Sequence, residues 1–240
     1  MVNEGATPPP AGGSWGSKDV ASLQPSALKA LPQGERQRSK PPRLRIVGLR
    51  SRFAGPFDLA LTAGECLAIT GPSGSGKSLF LRMVADLDPS DGEVFLDGVE
   101  RRSLTAPAWR RRVVYGAAEP GWWHERVADH FAGAAMEFAR SLAPCLALAP
   151  TLLDGPVVQL STGERQRVAL MRTLAANSPV LLLDEPTGAL DEDSTRLVER
   201  VLRQRLAEDV SIAVVTHSIA QATRLAHRHL RMENRQPVAA

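Results

Sequence analysis

Gly71-Pro72-Ser73-Gly74-Ser75-Gly76-Lys77-Ser78 is the stretch on which the reading of this chain turns. It has a glycine, four intervening residues and then Gly-Lys-Ser, the pattern of a phosphate-binding loop. Its surroundings are those the pattern requires. The apolar run 65–70 before it predicts a buried strand, and Leu79, Leu81, Met83, Val84 and Leu87 after it have the spacing of a helix over 77–87. Glycine at 71, 74 and 76 lets the backbone turn tightly and aim its N–H groups inward, with the positive end of the helix behind them. Lys77 is expected to reach the β- and γ-phosphates of a nucleoside triphosphate, and Ser78 to give its hydroxyl to Mg²⁺. Only one of the four lysines, Lys77, lies beyond position 40, every other base there being arginine. A compact ammonium is kept where phosphate chemistry asks for one.

A second acidic element follows about a hundred residues later. The run Val180-Leu181-Leu182-Leu183-Asp184-Glu185 reads as an apolar strand ending in two carboxylates. Asp184 is expected near the Mg²⁺, and Glu185 beside the γ-phosphate, where it orients or deprotonates the attacking water.

Outward from these motifs the chain alternates strands and helices. Strands are predicted over 44–49, 57–61, 113–115, 180–183 and 212–215, and helices over 163–176, 193–208 and 219–227. That alternation predicts a largely parallel sheet with helices on both faces. Residues 120–160 are rich in Ala, Leu and aromatics, with helical spacing near 126–142, and predict a small helical insertion. Residues 1–41 are rich in Pro, Gly, Ser and Ala, too poor in apolar surface to offset the entropy of ordering, and read as a flexible tail.

Composition excludes several classes. Hydrophobic residues at 43% and charged ones at 23% describe a globular protein rather than a fibrous or wholly disordered one. The uncharged run 141–153 contains two prolines and falls short of the ~20 apolar residues that a bilayer span needs. The N-terminus has no apolar signal segment, so a cytoplasmic protein is expected. The net charge of +3 is spread thinly, with 24 bases against 23 acids after position 41, and no nucleic-acid partner is expected. Cys66 and Cys145 lack the spacing of a metal site and are expected to be buried or inert.

Between 44 and 232 the sequence resembles the ATPase subunits of ABC transporters. The resemblance is carried by Leu160-Ser161-Thr162-Gly163-Glu164-Arg165-Gln166-Arg167, similar to the family signature, by Gly188-Ala189-Leu190-Asp191, similar to its D-loop, and by His217, similar to its switch histidine. It implies a P-loop ABC-type α/β core with a mostly parallel sheet, an antiparallel β subdomain and a small helical subdomain. The ATPase domain would span 42–232, with the helical part at about 120–176 and a C-terminal tail at 233–240. It also implies a head-to-tail dimer, homodimeric or heterodimeric. In that dimer Ser161 and Gly163 meet the partner's ATP, His217 contacts the γ-phosphate in cis, and Asp191 bridges the seam. ATP and Mg²⁺ are the implied cofactors, an integral membrane permease the implied partner, and the inner face of the cell membrane the implied location.

The sequence departs from the family in several places. Thr162 stands where glycine is usual, and a β-branched residue there is expected to weaken the phosphate contact. The loop after 113–115 should carry a glutamine, but Ala118 occupies that position; either the neighbouring Glu119 or water would then complete the Mg²⁺ shell. The adenine-stacking aromatic is assigned to Phe53, with Leu49 and Arg50 in nearly the same register. Trp122 and Trp123 read equally as interface anchors or as core. Two alternatives to the transport ATPase are a non-transport ABC ATPase of DNA repair or translation, which usually carries additional domains, and a weakly hydrolytic partner in a heterodimeric transporter.

Overall fold

The structure, a computed structural model, describes residues 41–238, so the expected tail 1–41 lies almost wholly outside the described residues, as do 239 and 240. Two sheets form its frame. Strands β1 (Pro42–Ser51), β2 (Ala54–Thr62), β4 (Asp91–Leu96) and β5 (Val99–Glu100) make an antiparallel sheet in the order β2-β1-β4-β5. Strands β3 (Cys66–Thr70), β6 (Val113–Gly116), β7 (Val180–Asp184), β8 (Ser211–Val215), β9 (Arg228–Glu233) and β10 (Gln236–Val238) make the second, in the order β10-β9-β3-β8-β7-β6. All its pairings are parallel except β9 with β10.

The central strands are buried on both faces, and their side chains divide with the period of two that a pleated strand imposes. Leu67, Ile69, Val180, Leu182, Ala213 and Val215 face a core shared with the antiparallel sheet and helix α1 (Lys77–Val84). Cys66, Ala68, Leu181, Leu183, Ile212 and Val214 face the opposite core, shared with α3 (Ala134–Leu142), α4 (Thr162–Ala175) and α5 (Glu192–Ala207). Trp109 on α2 (Ala106–Arg112) is fully buried in the first core, and its Nε1–H donates to the Val84 carbonyl at 2.9 Å, which anchors the end of α1. In α5, Glu199 is 1% exposed and accepts three hydrogen bonds from the Arg224 guanidinium of α6 (Ile219–Leu225) at 2.7, 3.0 and 3.1 Å, a charge pair that satisfies an otherwise costly burial.

Several expectations are corrected. The helix expected near 126–142 is a short 3-10 turn at Ala128–His130 followed by α3, because Gly133 turns into a conformation with φ 52° and ψ −126° that no helix continues through. Residues 233–240 are not simply a tail, since β10 pairs with β9 there. β9 itself, with its alternating charges, lacks the apolar run that marks a strand. Cys145 is exposed, so only Cys66 is a buried thiol, and burial pushes its pKa up to about 12. Among the described residues no helix is long and apolar enough to cross a membrane.

Candidate active site

The phosphate loop runs from the end of β3 into α1, and two of its glycines are there for stated reasons. Gly71 has φ 143°, and a Cβ on it would run into the Met232 carbonyl oxygen of β9. Gly76, at φ 91°, is the left-handed N-cap of α1. Lys77 opens the helix, and its buried Nζ donates to the carbonyls of Gly71 and Pro72, both at 2.9 Å. The ammonium is thereby folded back over its own loop. Ser73, Gly74, Gly76, Lys77 and Ser78 line a cavity of about 450 Å³ that Phe53, Glu185 and His217 also line.

The carboxylates come from β7, which lies two places from β3 in the sheet, with β8 between them. Asp184 ends the strand and is 2% exposed; Tyr115 at the end of β6 donates its hydroxyl to Asp184 Oδ2 at 2.9 Å. Burial, followed by the charge of Asp184, pushes the Tyr115 phenol well above its usual range, so it stays a donor. Asp184 Oδ1 is buried without a hydrogen-bond partner. A carboxylate with one oxygen held and the other bare suits a hard cation, so the residues present fit Mg²⁺.

Glu185 follows in the left-handed region at φ 47°, a conformation that costs a residue bearing a Cβ about 1–2 kcal/mol. Its backbone is held by two neighbours: its N–H donates to the Val215 carbonyl at 3.1 Å, and its carbonyl accepts from Gln166 Nε2 at 2.6 Å. Strain so firmly supported is common at functional sites. The side chain meets His217 across the cavity, Oε1 to Nε2 2.9 Å. Gln166, inside the stretch that resembles the signature, is a residue to which the sequence alone assigns no role. It also accepts from Ala189 N–H at 2.8 Å, so one amide ties α4 to the turns on both sides of Gly188.

Of the proposed site residues, the phosphate loop, Phe53, Glu185 and His217 are brought together around one cavity. The signature lies elsewhere. Ser161 is the N-cap of α4 in a reciprocal capping box with Glu164, and Thr162 is the first helical residue, so the β-branched side chain imposes no unusual backbone. A Cβ on Gly163 would lie 3.4 Å from Leu190. Asp191 caps α5 through the Ser194 N–H at 2.8 Å; that bond and the Ser194 hydroxyl hold its carboxyl below the usual range. Thr162, Gln166, Ala118, Glu119 and Glu185 line a second cavity of about 410 Å³, so Glu185 borders both. Phe53 is 49% exposed, whereas Leu49 is fully buried and excluded from ligand contact. Trp122 and Trp123 divide: the first packs partly into a core and the second is 62% exposed, with the Arg172 guanidinium over both rings.

A glycine-rich loop, a buried metal-ready aspartate, a glutamate and a histidine, disposed in this order on a parallel sheet flanked by an antiparallel one, define a P-loop nucleotide-binding cassette. The family described as ABC transporter matches residues 55–188. The chain is 38% identical over 202 residues to Protein STAR1 of Oryza sativa subsp. japonica, covering 77% of this chain and 58% of that protein. It is 33% identical over 212 residues to the phosphate import ATP-binding protein PstB 2 of Natronomonas pharaonis, covering 77% and 75%. The ATP-binding cassette MJ0796, solved as a dimer bound to ADP and Pi, superposes with a TM-score of 0.71 at 23% identity, covering 82% of this chain and 97% of that one. The chain belongs to the ABC transporter family, and it is an ATP-binding cassette of that family.

Removing the Tyr115 hydroxyl tests the metal assignment. Tyr115→Phe is expected to raise the Mg²⁺ concentration for half-maximal ATPase activity about tenfold, the worth of ~1.5 kcal/mol for a hydrogen bond to a charged group. Metal-free nucleotide binding should not change. An unaltered Mg²⁺ dependence would remove Tyr115 from the support of Asp184.

Proposed function

We propose that this chain binds Mg·ATP at the phosphate loop and hydrolyses it, and that the cycle powers transport through a permease on a separate chain. The observation that carries this reading is the convergence of Lys77, Ser78, Glu185 and His217 on one cavity. ATP phosphates would enter between the loop amides and the start of α1, and Lys77 would exchange its two carbonyl partners for phosphate oxygens. Ser78 and Asp184 would hold Mg²⁺, which neutralises phosphate charge. Glu185 would position water and take its proton, and His217 would leave Glu185 to donate to the γ-phosphate. Phe53 would stack on the adenine.

The rest of the cycle belongs to an assembly. The start of α4, with Ser161 and Gly163, presents amides suited to the γ-phosphate of an ATP held by a second cassette, identical or paired, with Asp191 at the seam. The permease would meet the groove of about 470 Å³ bordered by Trp123, His130, Arg172 and Ala117, at the cytoplasmic face of the membrane. Within that groove His130 Nε2 accepts from the N–H groups of Trp123 and His124 at 3.1 and 3.2 Å and its Nδ1–H donates to the Arg126 carbonyl, which holds the tryptophan turn in place. Purification of the chain from membranes with its bound permease, identified by mass spectrometry, tests the coupling. A chain that leaves the membrane fraction with no integral protein attached contradicts it.

Ala118 gives a measurable handle on how far the natural enzyme is damped. Ala118→Gln places an amide in the cavity that Glu185 borders and is expected to raise turnover of the isolated chain severalfold. Turnover equal to wild type would show that the loop already has another solution, with Glu119 the neighbouring oxygen donor; Glu119→Ala would then raise the Mg²⁺ requirement.

A further inference from the structure

The nucleotide cavity has a wall that the family motifs do not supply. β9 and β10 are joined by a two-residue turn, Asn234-Arg235, with φ values of 48° and 64°. Two consecutive left-handed residues make the turn that suits a hairpin, and its second position strongly favours glycine. Here that position holds an arginine, a residue that loses by adopting the left-handed conformation. The turn is fixed in place because the Arg235 carbonyl accepts from the Gly55 N–H at 3.0 Å. Its side chain then runs along the phosphate loop: a Cβ added at Gly76 would lie 3.4 Å from Cα, Cβ and Cγ of Arg235. The guanidinium carbon ends 6.0 Å from the centre of the Phe53 ring. Among the described residues no carboxylate pairs with it, whereas Arg231 on the same hairpin pairs with Glu233 at 2.5 Å. Arg235 also lines the cavity with Lys77, Ser78, Glu185 and His217.

We propose that Arg235 is a nucleotide-binding residue, its guanidinium contacting the α-phosphate and ribose of ATP between the phosphate loop and the aromatic ring. The inference rests on the reading of this cavity as the ATP site. The stem fixes one end of the side chain at Gly76, where phosphates would lie, and the head approaches Phe53, where the base would stack. A cation between those ends faces the part of the nucleotide that joins them. Its charge adds to that of Lys77, and its planar donors suit phosphate oxygens. The unfavourable turn conformation is retained because the site requires the side chain it carries.

The test is Arg235→Asn in the full chain, since asparagine tolerates the left-handed turn and removes the cation. Calorimetric titration should show ATP and ADP binding weakened alike, by at least about tenfold, because both carry the α-phosphate. The thermal midpoint of the nucleotide-free protein should equal or exceed that of wild type, since the turn is relieved. Arg235→Lys should recover part of the affinity. Unchanged affinity in Arg235→Asn overturns the proposal, as does a Lys variant as weak as the Asn one or a loss confined to ATP. Lys77→Ala serves as the reference: if it loses binding while Arg235→Asn does not, only the role of Arg235 falls, and if neither loses binding the nucleotide site itself falls.

Discussion

Lys77→Ala should abolish measurable ATP binding, lowering affinity by at least two orders of magnitude. Removing one partner from a buried charge pair costs about 3–5 kcal/mol, and a bound triphosphate would be left in the loop without its main cation. No other lysine lies among residues 41–240, so nothing of the same compact charge is available to replace it. The fold should survive. Among the described residues the ammonium bonds only to the carbonyls of Gly71 and Pro72, while α1 is anchored independently by Phe80, Leu81, Met83 and Val84. Equilibrium titration with a fluorescent ATP analogue, beside a thermal melt, checks both statements. Wild-type affinity would remove the phosphate loop from nucleotide binding.

Glu185→Gln should separate binding from turnover. The amide has nearly the shape of the carboxylate and leaves untouched the two backbone bonds that hold residue 185, so the left-handed turn and the neighbouring Gln166 contact persist. On the proposed function, what would be lost is the proton acceptor for the attacking water, worth about 10²–10⁴ in rate. With hydrolysis slowed, the ATP-bound assembly should accumulate. Size-exclusion chromatography of the variant should show twice the monomer mass with Mg·ATP and the monomer with ADP. A variant that remains monomeric with ATP would contradict pairing of identical cassettes and leave a paired, non-identical cassette as the partner.

The difference between legible and illegible parts of this molecule is local. Gly71 to Ser78, Asp184 and Glu185 were readable because a fixed spacing between an apolar strand and a helix leaves few other structures to form. The central strands were readable for the same reason, being apolar runs buried on both faces. β9 was not: Arg228, His229, Arg231 and Glu233 break its apolar pattern, and the charges are met by ion pairs such as Arg228 with Glu65 and Arg231 with Glu233. Arg235 depends on that missed hairpin, because its approach to Gly76 and Phe53 is set by tertiary contact over many residues of chain. Gln166 was visible as a residue type but not as a clamp, since its two bonds go to turns 19 and 23 positions away. Tyr115 could have been suspected only as the sole tyrosine of the chain, in a predicted strand; that this strand adjoins the acidic one appears in the structure.

Two cavities share Glu185 as a lining residue. The first is lined by Lys77, Ser78 and His217, the second by Ala118, Glu119 and Thr162 at the start of α4. Gln166 ties α4 to the turn that carries Glu185, so on the proposed function a shift of α4 would be felt at that carboxylate.

Single-turnover hydrolysis is the most direct test of the claim that this cassette splits ATP with Glu185. The chain is held in excess over radiolabelled Mg·ATP and the products are separated over time. Wild type should convert the bound nucleotide to ADP and phosphate, while Glu185→Gln should retain it as ATP. Intact ATP in the wild-type reaction, or equal conversion by both proteins, would contradict it.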